Sequence, residues 1–169
     1  MIIFVSGGVK SGKSRYAHNL AKSLSANPVY VATAKIWDDD FRERVERHQS
    51  DRGPEWENFE ETHRVSLLPI ENKVVVVDCL TLWLTNFFMD HDQDIEVSLA
   101  LFKAEIDKLE QISGTFILVS NEIGMGVHAD TAIGRKFTDL QGLANQYTAS
   151  KACKVVFMVS GIPMTVKGF

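Results

Sequence analysis

The chain has 169 residues, 45% of them hydrophobic, enough for one domain with a substantial core, so residues 1–169 are read as a single unit. A formal net charge of −4 argues against a general affinity for DNA, RNA or anionic membranes and fits a cytoplasmic enzyme better. Cys79 and Cys153 stand apart, with no CxxC pair or Cys/His cluster, so neither a disulfide framework nor a zinc site is indicated and both are expected as small buried residues.

The apolar run Met1 to Val5 is too short to cross a membrane, lacks a cationic start and reads as a strand rather than a signal peptide. It leads into Gly7-Gly8-Val9-Lys10-Ser11-Gly12-Lys13-Ser14, which fits G-x-x-x-x-G-K-[ST]. Strand, glycine-rich turn and helix start together make a phosphate-binding P-loop. The glycines let backbone N–H groups turn onto phosphate oxygens, and the helix N-terminus adds partial positive charge. Lys13 is expected to reach the β- and γ-phosphates, and the Ser14 hydroxyl to coordinate Mg²⁺, which takes hard oxygen ligands. The chain therefore reads as a binder of nucleoside triphosphates.

Arg15 to Leu24 carries Tyr16, Ala17, Leu20, Ala21 and Leu24 at helical spacing, and Val29 to Thr33 reads as a second strand. In the segment Trp37 to Trp56, Asp38, Asp39 and Asp40 can cap a helix whose inward side is Phe41, Val45 and His48, ended by Asp51-Arg52-Gly53-Pro54. On spacing alone His48 is either a packed core histidine or a neutral imidazole aimed at nucleotide phosphates. Arg42, Arg44 and Arg47 on the same stretch are either a solvated face or phosphate contacts.

Val74 to Val77 reads as a strand buried on both faces, ending in Asp78, whose carboxylate can hold Mg²⁺ or cap the next segment. Leu82 to Met89 and Ile95 to Ile112 are predicted helices, the second with Val97, Leu101, Ile106 and Leu109 on its apolar side. Phe116 to Ser120 is a further strand, which puts Asn121 and Glu122 at its C-terminal edge. The loop that follows, to Gly126, either approaches a ligand closely or is a plain connection. A helix over Ile133 to Lys151, a strand over Val155 to Ser160 and a short strand over Met164 to Val166 complete the pattern. Such alternation predicts an α/β fold: a mainly parallel sheet with helices on both faces and ligands at the C-terminal ends of the strands.

Five stretches, in order and over nearly the whole chain, resemble one known family. They are the P-loop; Ala32-Thr33-Ala34 followed by Asp38-Asp39 and Arg44-Val45-Glu46-Arg47-His48; Val77-Asp78-Cys79-Leu80-Thr81; Asn121-Glu122-Ile123-Gly124-Met125-Gly126; and Asp139-Leu140-Gln141-Gly142-Leu143-Ala144-Asn145-Gln146. The family is the bifunctional adenosylcobinamide kinase / adenosylcobinamide-phosphate guanylyltransferase of cobalamin biosynthesis. The Arg-x-x-x-His and Asn-Glu-x-Gly-x-Gly patterns make this far more specific than the P-loop alone.

The resemblance implies a RecA-like P-loop fold and two reactions. ATP or GTP phosphorylates the hydroxyl of adenosylcobinamide; GTP then gives GMP to adenosylcobinamide phosphate through a covalent guanylyl-histidine. It implies His48 and Lys13 as catalytic residues. It implies a nucleotide site of Gly7, Gly8, Val9, Lys10, Ser11, Gly12, Lys13 and Ser14 with Thr33, Asp78 and Glu122, and Mg²⁺ on Ser14 and Asp78. It also implies a homotrimer, with no nucleic-acid partner and no membrane insertion. Some members of the family carry Glu where this chain has Asp78. A regulatory GTPase is a poor alternative, because Asp139-Leu140-Gln141-Gly142 has no Asn-Lys-x-Asp guanine reader downstream. A single-function P-loop small-molecule kinase is the alternative that His48 separates. Because His48 has to reach an α-phosphate, the segment from Ile36 to Trp56 is expected to move when nucleotide binds.

Overall fold

The computed structural model describes residues 1–35 and 53–168. Seven strands form one sheet: β1 (Ile2–Gly7), β2 (Val29–Ala32), β3 (Glu57–Glu60), β4 (Lys73–Asp78), β5 (Gly114–Asn121), β6 (Lys154–Val159) and β7 (Ile162–Lys167). Their order is β3-β2-β4-β5-β1-β6-β7. Every pairing is parallel except β6 with β7. Among the described residues the α-helices are α1 (Lys13–Leu24), α2 (Leu80–Asp90), α3 (Ile95–Gln111) and α4 (Ala132–Lys151).

Period-two alternation sorts the central strands onto two cores. Ile2, Phe4, Val75, Val77, Phe116 and Leu118 face one side, where Trp83 and Phe88 of α2, Phe102 and Ile106 of α3 and Leu140 of α4 cover them. Ile3, Val5, Val76, Ile117 and Val119 face the other, against Ala17 and Ala21 of α1. Helices therefore lie on both faces, and β1, β4 and β5 run as near-continuous apolar strands because neither face meets water. Phe116 and Ile117 are fully buried. Each such side chain contributes about 1.5–3 kcal/mol by leaving water. Asp94 caps α3 by accepting from the Val97 N–H at 2.9 Å, and Thr131 caps α4 by accepting from the Gly134 N–H at 3.0 Å.

Three expectations are corrected and one element is added. The strand β3 was not foreseen: Glu57-Asn58-Phe59-Glu60 is a polar edge that exists by parallel pairing with β2, Val29 opposite Glu57. The buried side of α3 is Ser98, Phe102, Glu105, Ile106 and Leu109, while Val97 and Leu101 are exposed. Glu105 accounts for the difference, because its carboxylate turns inward to accept from the Ser66 N–H and hydroxyl, both at 3.1 Å, and from Lys108 at 2.7 Å. Cys153 is exposed rather than buried: it sits at the turn between α4 and β6, with its thiol donating to the Ile2 carbonyl at 3.2 Å. The last strand is longer than expected and exposed along its whole length, with Ile162, Met164 and Val166 in water on one of its faces. The predicted helix behind Asp38, and with it His48, lies outside the described residues.

Candidate active site

The phosphate loop runs from the buried end of β1 to the first turn of α1. Gly7 has φ 151°, and a Cβ there would come within 2.6 Å of the Met158 carbonyl oxygen; Gly12 has φ 95°. Both positions demand glycine. The Ser11 N–H donates to the Gly8 carbonyl at 3.3 Å, and the Gly161 N–H donates to the Ser11 carbonyl at 3.0 Å, tying the loop to the turn after β6. Lys13 is only 7% exposed, and its Nζ spans the loop to donate to the Gly8 carbonyl at 2.7 Å. Burial holds this ammonium below the usual lysine range, partly offset by the nearby Asp78 carboxylate. The Ser11 hydroxyl is buried without a hydrogen-bond partner, so the loop holds an unused polar group as well as a desolvated cation. Val9 and Lys10 are exposed at its crest, and Ser14 is half-buried at the start of α1.

Because β5 lies between β1 and β4, the end of β5 sits between the phosphate loop and Asp78. Asp78 closes β4, paired with Ala32 on one side and Val119 on the other. The Glu122 N–H donates to the Gly7 carbonyl at 2.9 Å, and the Asn121 N–H donates to the Thr81 hydroxyl at 3.0 Å. One strand end thus ties the P-loop to the segment after Asp78. The Glu122 carboxylate accepts from the Gly124 N–H at 2.6 Å. Ser14 and Asp78 are hard oxygen donors of the kind magnesium takes, and magnesium needs no more than one or two carboxylates beside phosphate.

Thr33 is fully buried, and its hydroxyl donates to the Cys79 carbonyl at 2.8 Å, so it holds the chain just after Asp78 from beneath. Cys79 is buried beside Asp78, and both effects push its thiol up to about 12. At neutral pH it is a packed thiol and not a nucleophile.

A polar cluster behind the β5 end escaped the sequence reading. The Ser120 hydroxyl donates to Asn145 Oδ1 at 2.7 Å, Gln141 Nε2 donates to both Asn145 Oδ1 at 2.9 Å and Ser120 Oγ at 3.1 Å, and Asn145 Nδ2 donates to the Asn121 carbonyl at 3.2 Å. The signal in the sequence was two amides four positions apart, and so on one face of the predicted helix.

On the β2 side, Asn86 is 1% exposed, and its amide donates to the Thr33 carbonyl at 2.7 Å and the Thr62 carbonyl at 3.0 Å. Lys35 donates to both carboxylate oxygens of Asp90 at 3.0 Å, and His63 Nε2 lies 3.0 Å from the same carboxylate. The hydrogen bonds from Lys35 hold Asp90 below the usual carboxylate range. The last residues before the segment that carries His48 are therefore fastened to α2.

Two depressions open on this edge. A groove of about 380 Å³ lies between the phosphate loop, the end of β6 and Glu122 with Met125. A larger cleft of about 670 Å³ lies between α4 and the loop that follows Glu122.

Comparison with known proteins agrees with this geometry. A family model described as cobinamide kinase / cobinamide phosphate guanyltransferase matches residues 3–166. The chain is 34% identical to the bifunctional adenosylcobalamin biosynthesis protein CobU of Escherichia coli (strain K12), over 99% of this chain and 100% of that protein. It is 36% identical to the bifunctional adenosylcobalamin biosynthesis protein CobP of Pseudomonas aeruginosa, over 97% and 96%. A match of this extent, on a chain whose P-loop and strand-end carboxylates stand as described, places it: the chain belongs to the cobinamide kinase / cobinamide phosphate guanyltransferase family.

Proposed function

We propose that this chain phosphorylates the hydroxyl of adenosylcobinamide with ATP or GTP and then transfers GMP from GTP to the phosphate so formed, through a guanylyl group carried on His48. The observation that carries the reading is the phosphate loop itself, with Lys13 desolvated inside it and the end of β5 set between it and Asp78, in a chain of this family.

In the first reaction the loop N–H groups and Lys13 bind and stabilise the charge of the transferring phosphoryl group. Mg²⁺ held by Ser14 and Asp78 would neutralise charge between the β- and γ-phosphates. Glu122, at the border of the phosphate groove, is assigned the proton of the attacking hydroxyl. Thr33 contributes by fixing the backbone beside Asp78.

In the second reaction a neutral His48 nitrogen attacks the α-phosphorus of GTP. The N–P bond forms as the bond to pyrophosphate breaks. The GMP then passes to a phosphate oxygen of adenosylcobinamide phosphate, freeing the imidazole. A homotrimer is proposed as the working assembly, and the exposed apolar residues Ile162, Met164 and Val166 on β7 support burial against another copy. The cytoplasm is the proposed compartment; no described helix is long and apolar enough to cross a membrane.

Incubation with GTP labelled at the α-phosphate tests the histidine step. The wild type is expected to retain acid-labile, base-stable label, and His48→Asn to lose it while still phosphorylating cobinamide. Label retained on the variant moves the nucleophile elsewhere. An unlabelled wild type that still phosphorylates cobinamide reduces the protein to a single-function kinase.

A further inference from the structure

We propose that the cleft between α4 and the loop after β5 is the acceptor subsite, where the bulky, amide-bearing body of the phosphoryl acceptor lies while its hydroxyl arm reaches the nucleotide; this rests on the kinase reading above. The phosphate groove and the cleft share one wall. Glu122 and Met125 line the first, and Ile123, Gly124 and Gly126 line the second. That wall continues the end of β5, which lies between the phosphate loop and Asp78, the strand-end edge where the terminal phosphate of a nucleotide held by the loop and Lys13 would lie. An acceptor must approach the terminal phosphate, so the body attached to its hydroxyl has to lie beyond that wall. The cleft, at about 670 Å³, is within the range that encloses most of a large small molecule.

Gly142 is the residue that singles the cleft out. It sits well inside the twenty-residue helix α4, where glycine is a poor helix former. Packing does not demand it: a Cβ built there meets nothing within 4 Å. The other glycine of α4, Gly134, is different, because a Cβ there would come within 2.9 Å of Ala129 and Thr131. Gly142 thus keeps a wall of the cleft open to close approach where no protein atom needs the space.

The rest of the lining fits an amide-rich ligand with hydrocarbon between its amides. Val127 and Leu143 offer exposed apolar surface, and Thr138, Asp139 and Gln146 supply donors and acceptors. The loop wall is braced to the helix, since the Arg135 guanidinium donates to the Ala129 and Asp130 carbonyls at 2.9 and 3.0 Å.

Two substitutions test the assignment, each filling the cleft without touching the phosphate loop. Gly142→Leu places a good helix former in open space, and Val127→Glu alters a side chain that is 97% exposed, so at least one is expected to fold. The readouts are KM for cobinamide at saturating ATP, the dissociation constant for ATP, the melting temperature and the sedimentation coefficient.

The expected result is a tenfold or greater rise in KM for cobinamide in Gly142→Leu and a smaller rise in Val127→Glu. ATP affinity should stay within twofold, with no loss of melting temperature in Gly142→Leu. Unchanged KM for cobinamide in a folded Gly142→Leu overturns the assignment. So does an equal loss of ATP affinity, which would give the cleft to the nucleotide base, and so does a changed sedimentation coefficient with unchanged KM, which would give it to a second copy of the chain. A wild type that binds ATP yet never phosphorylates cobinamide removes the kinase reading, and this subsite with it, a failure recognisable before any variant is made.

Discussion

Replacing Lys13 with methionine should separate activity from stability. The side chain keeps its length and most of its apolar stem and loses the ammonium, which is 7% exposed and donates to the Gly8 carbonyl at 2.7 Å. A hydrogen bond from a charged donor contributes about 1.5–3 kcal/mol, and taking the ion out of water costs several kcal/mol, so the two nearly cancel. The sign of the remainder follows from the lowered pKa. A lysine that binds its proton less readily folded than unfolded carries that penalty in full at neutral pH, and sheds it only as pH rises through the folded value toward the ordinary one. The Gly8 carbonyl also keeps the Ser11 N–H as a partner.

Lys13→Met is therefore expected to unfold within about 1 kcal/mol of the wild type without nucleotide, a shift of roughly 2–4 °C at this chain length, and in the stabilising direction if any. Its kcat for cobinamide phosphorylation should fall by about 10²–10³, the effect of removing one preorganised donor at a developing charge, or about 3–4 kcal/mol. Calorimetry with and without MgATP, beside a coupled kinase assay, reads both. A variant destabilised by more than about 2 kcal/mol would show that the ammonium props the loop up. A kcat within tenfold of wild type would show that the loop does not grip the transferred phosphate.

The two cysteines should differ sharply in reactivity. With its thiol at about 12 and its sulfur buried, Cys79 is about one part in ten thousand thiolate at pH 8, so a maleimide should label Cys153 in the native protein and Cys79 only after denaturation. Mass spectrometry of the labelled peptides checks this, and rapid native labelling of Cys79 would refute its packing. Asn86→Ala leaves the buried Thr33 carbonyl and the half-buried Thr62 carbonyl without their donor and should lower stability by about 2–4 kcal/mol in urea unfolding. Asp90→Asn, which weakens a half-exposed ion pair with Lys35, should change it by less than about 1 kcal/mol. A larger loss from the second than from the first would reverse that ranking.

The parts legible in the sequence were those written in consecutive residues. The phosphate loop is eight adjacent positions behind an apolar strand, and Asp78 is announced by the four valines before it. The parallel sheet followed from the alternation of apolar runs with helical spacings, and the end of β5 from the polar pair after Phe116 to Ser120. What stayed hidden depends on partners distant in sequence. Glu57 to Glu60 has no apolar period of its own and becomes a strand only beside β2. The inward turn of α3 is set by Ser66, thirty-nine positions before Glu105. Gln141 and Asn145 stand in one of the stretches that carry the family resemblance, but their bonds to Ser120 show only when β5 and α4 are brought together. Cys153 was misjudged because a cysteine's usual burial says nothing about a turn at the end of a helix.

The place of β1 in the sheet bears on how the chain is made. Ile2 takes Phe116 as its register partner on one side, and Ile3 takes Lys154 on the other. A ribosome adding about 5–20 residues per second therefore needs on the order of ten seconds to supply both neighbours. Until β5 is made, β2 and β4 can pair, but the strand that carries the phosphate loop has no neighbouring strand to dock against, and its apolar side chains are left to the surroundings. ATP cannot assist at that stage, because its binding loop takes shape only when β1 is clamped between β5 and β6. β1 is thus among the last strands to settle although it is made before both of its neighbours, and a newly synthesised molecule is most prone to aggregate just before it first becomes able to hold a nucleotide.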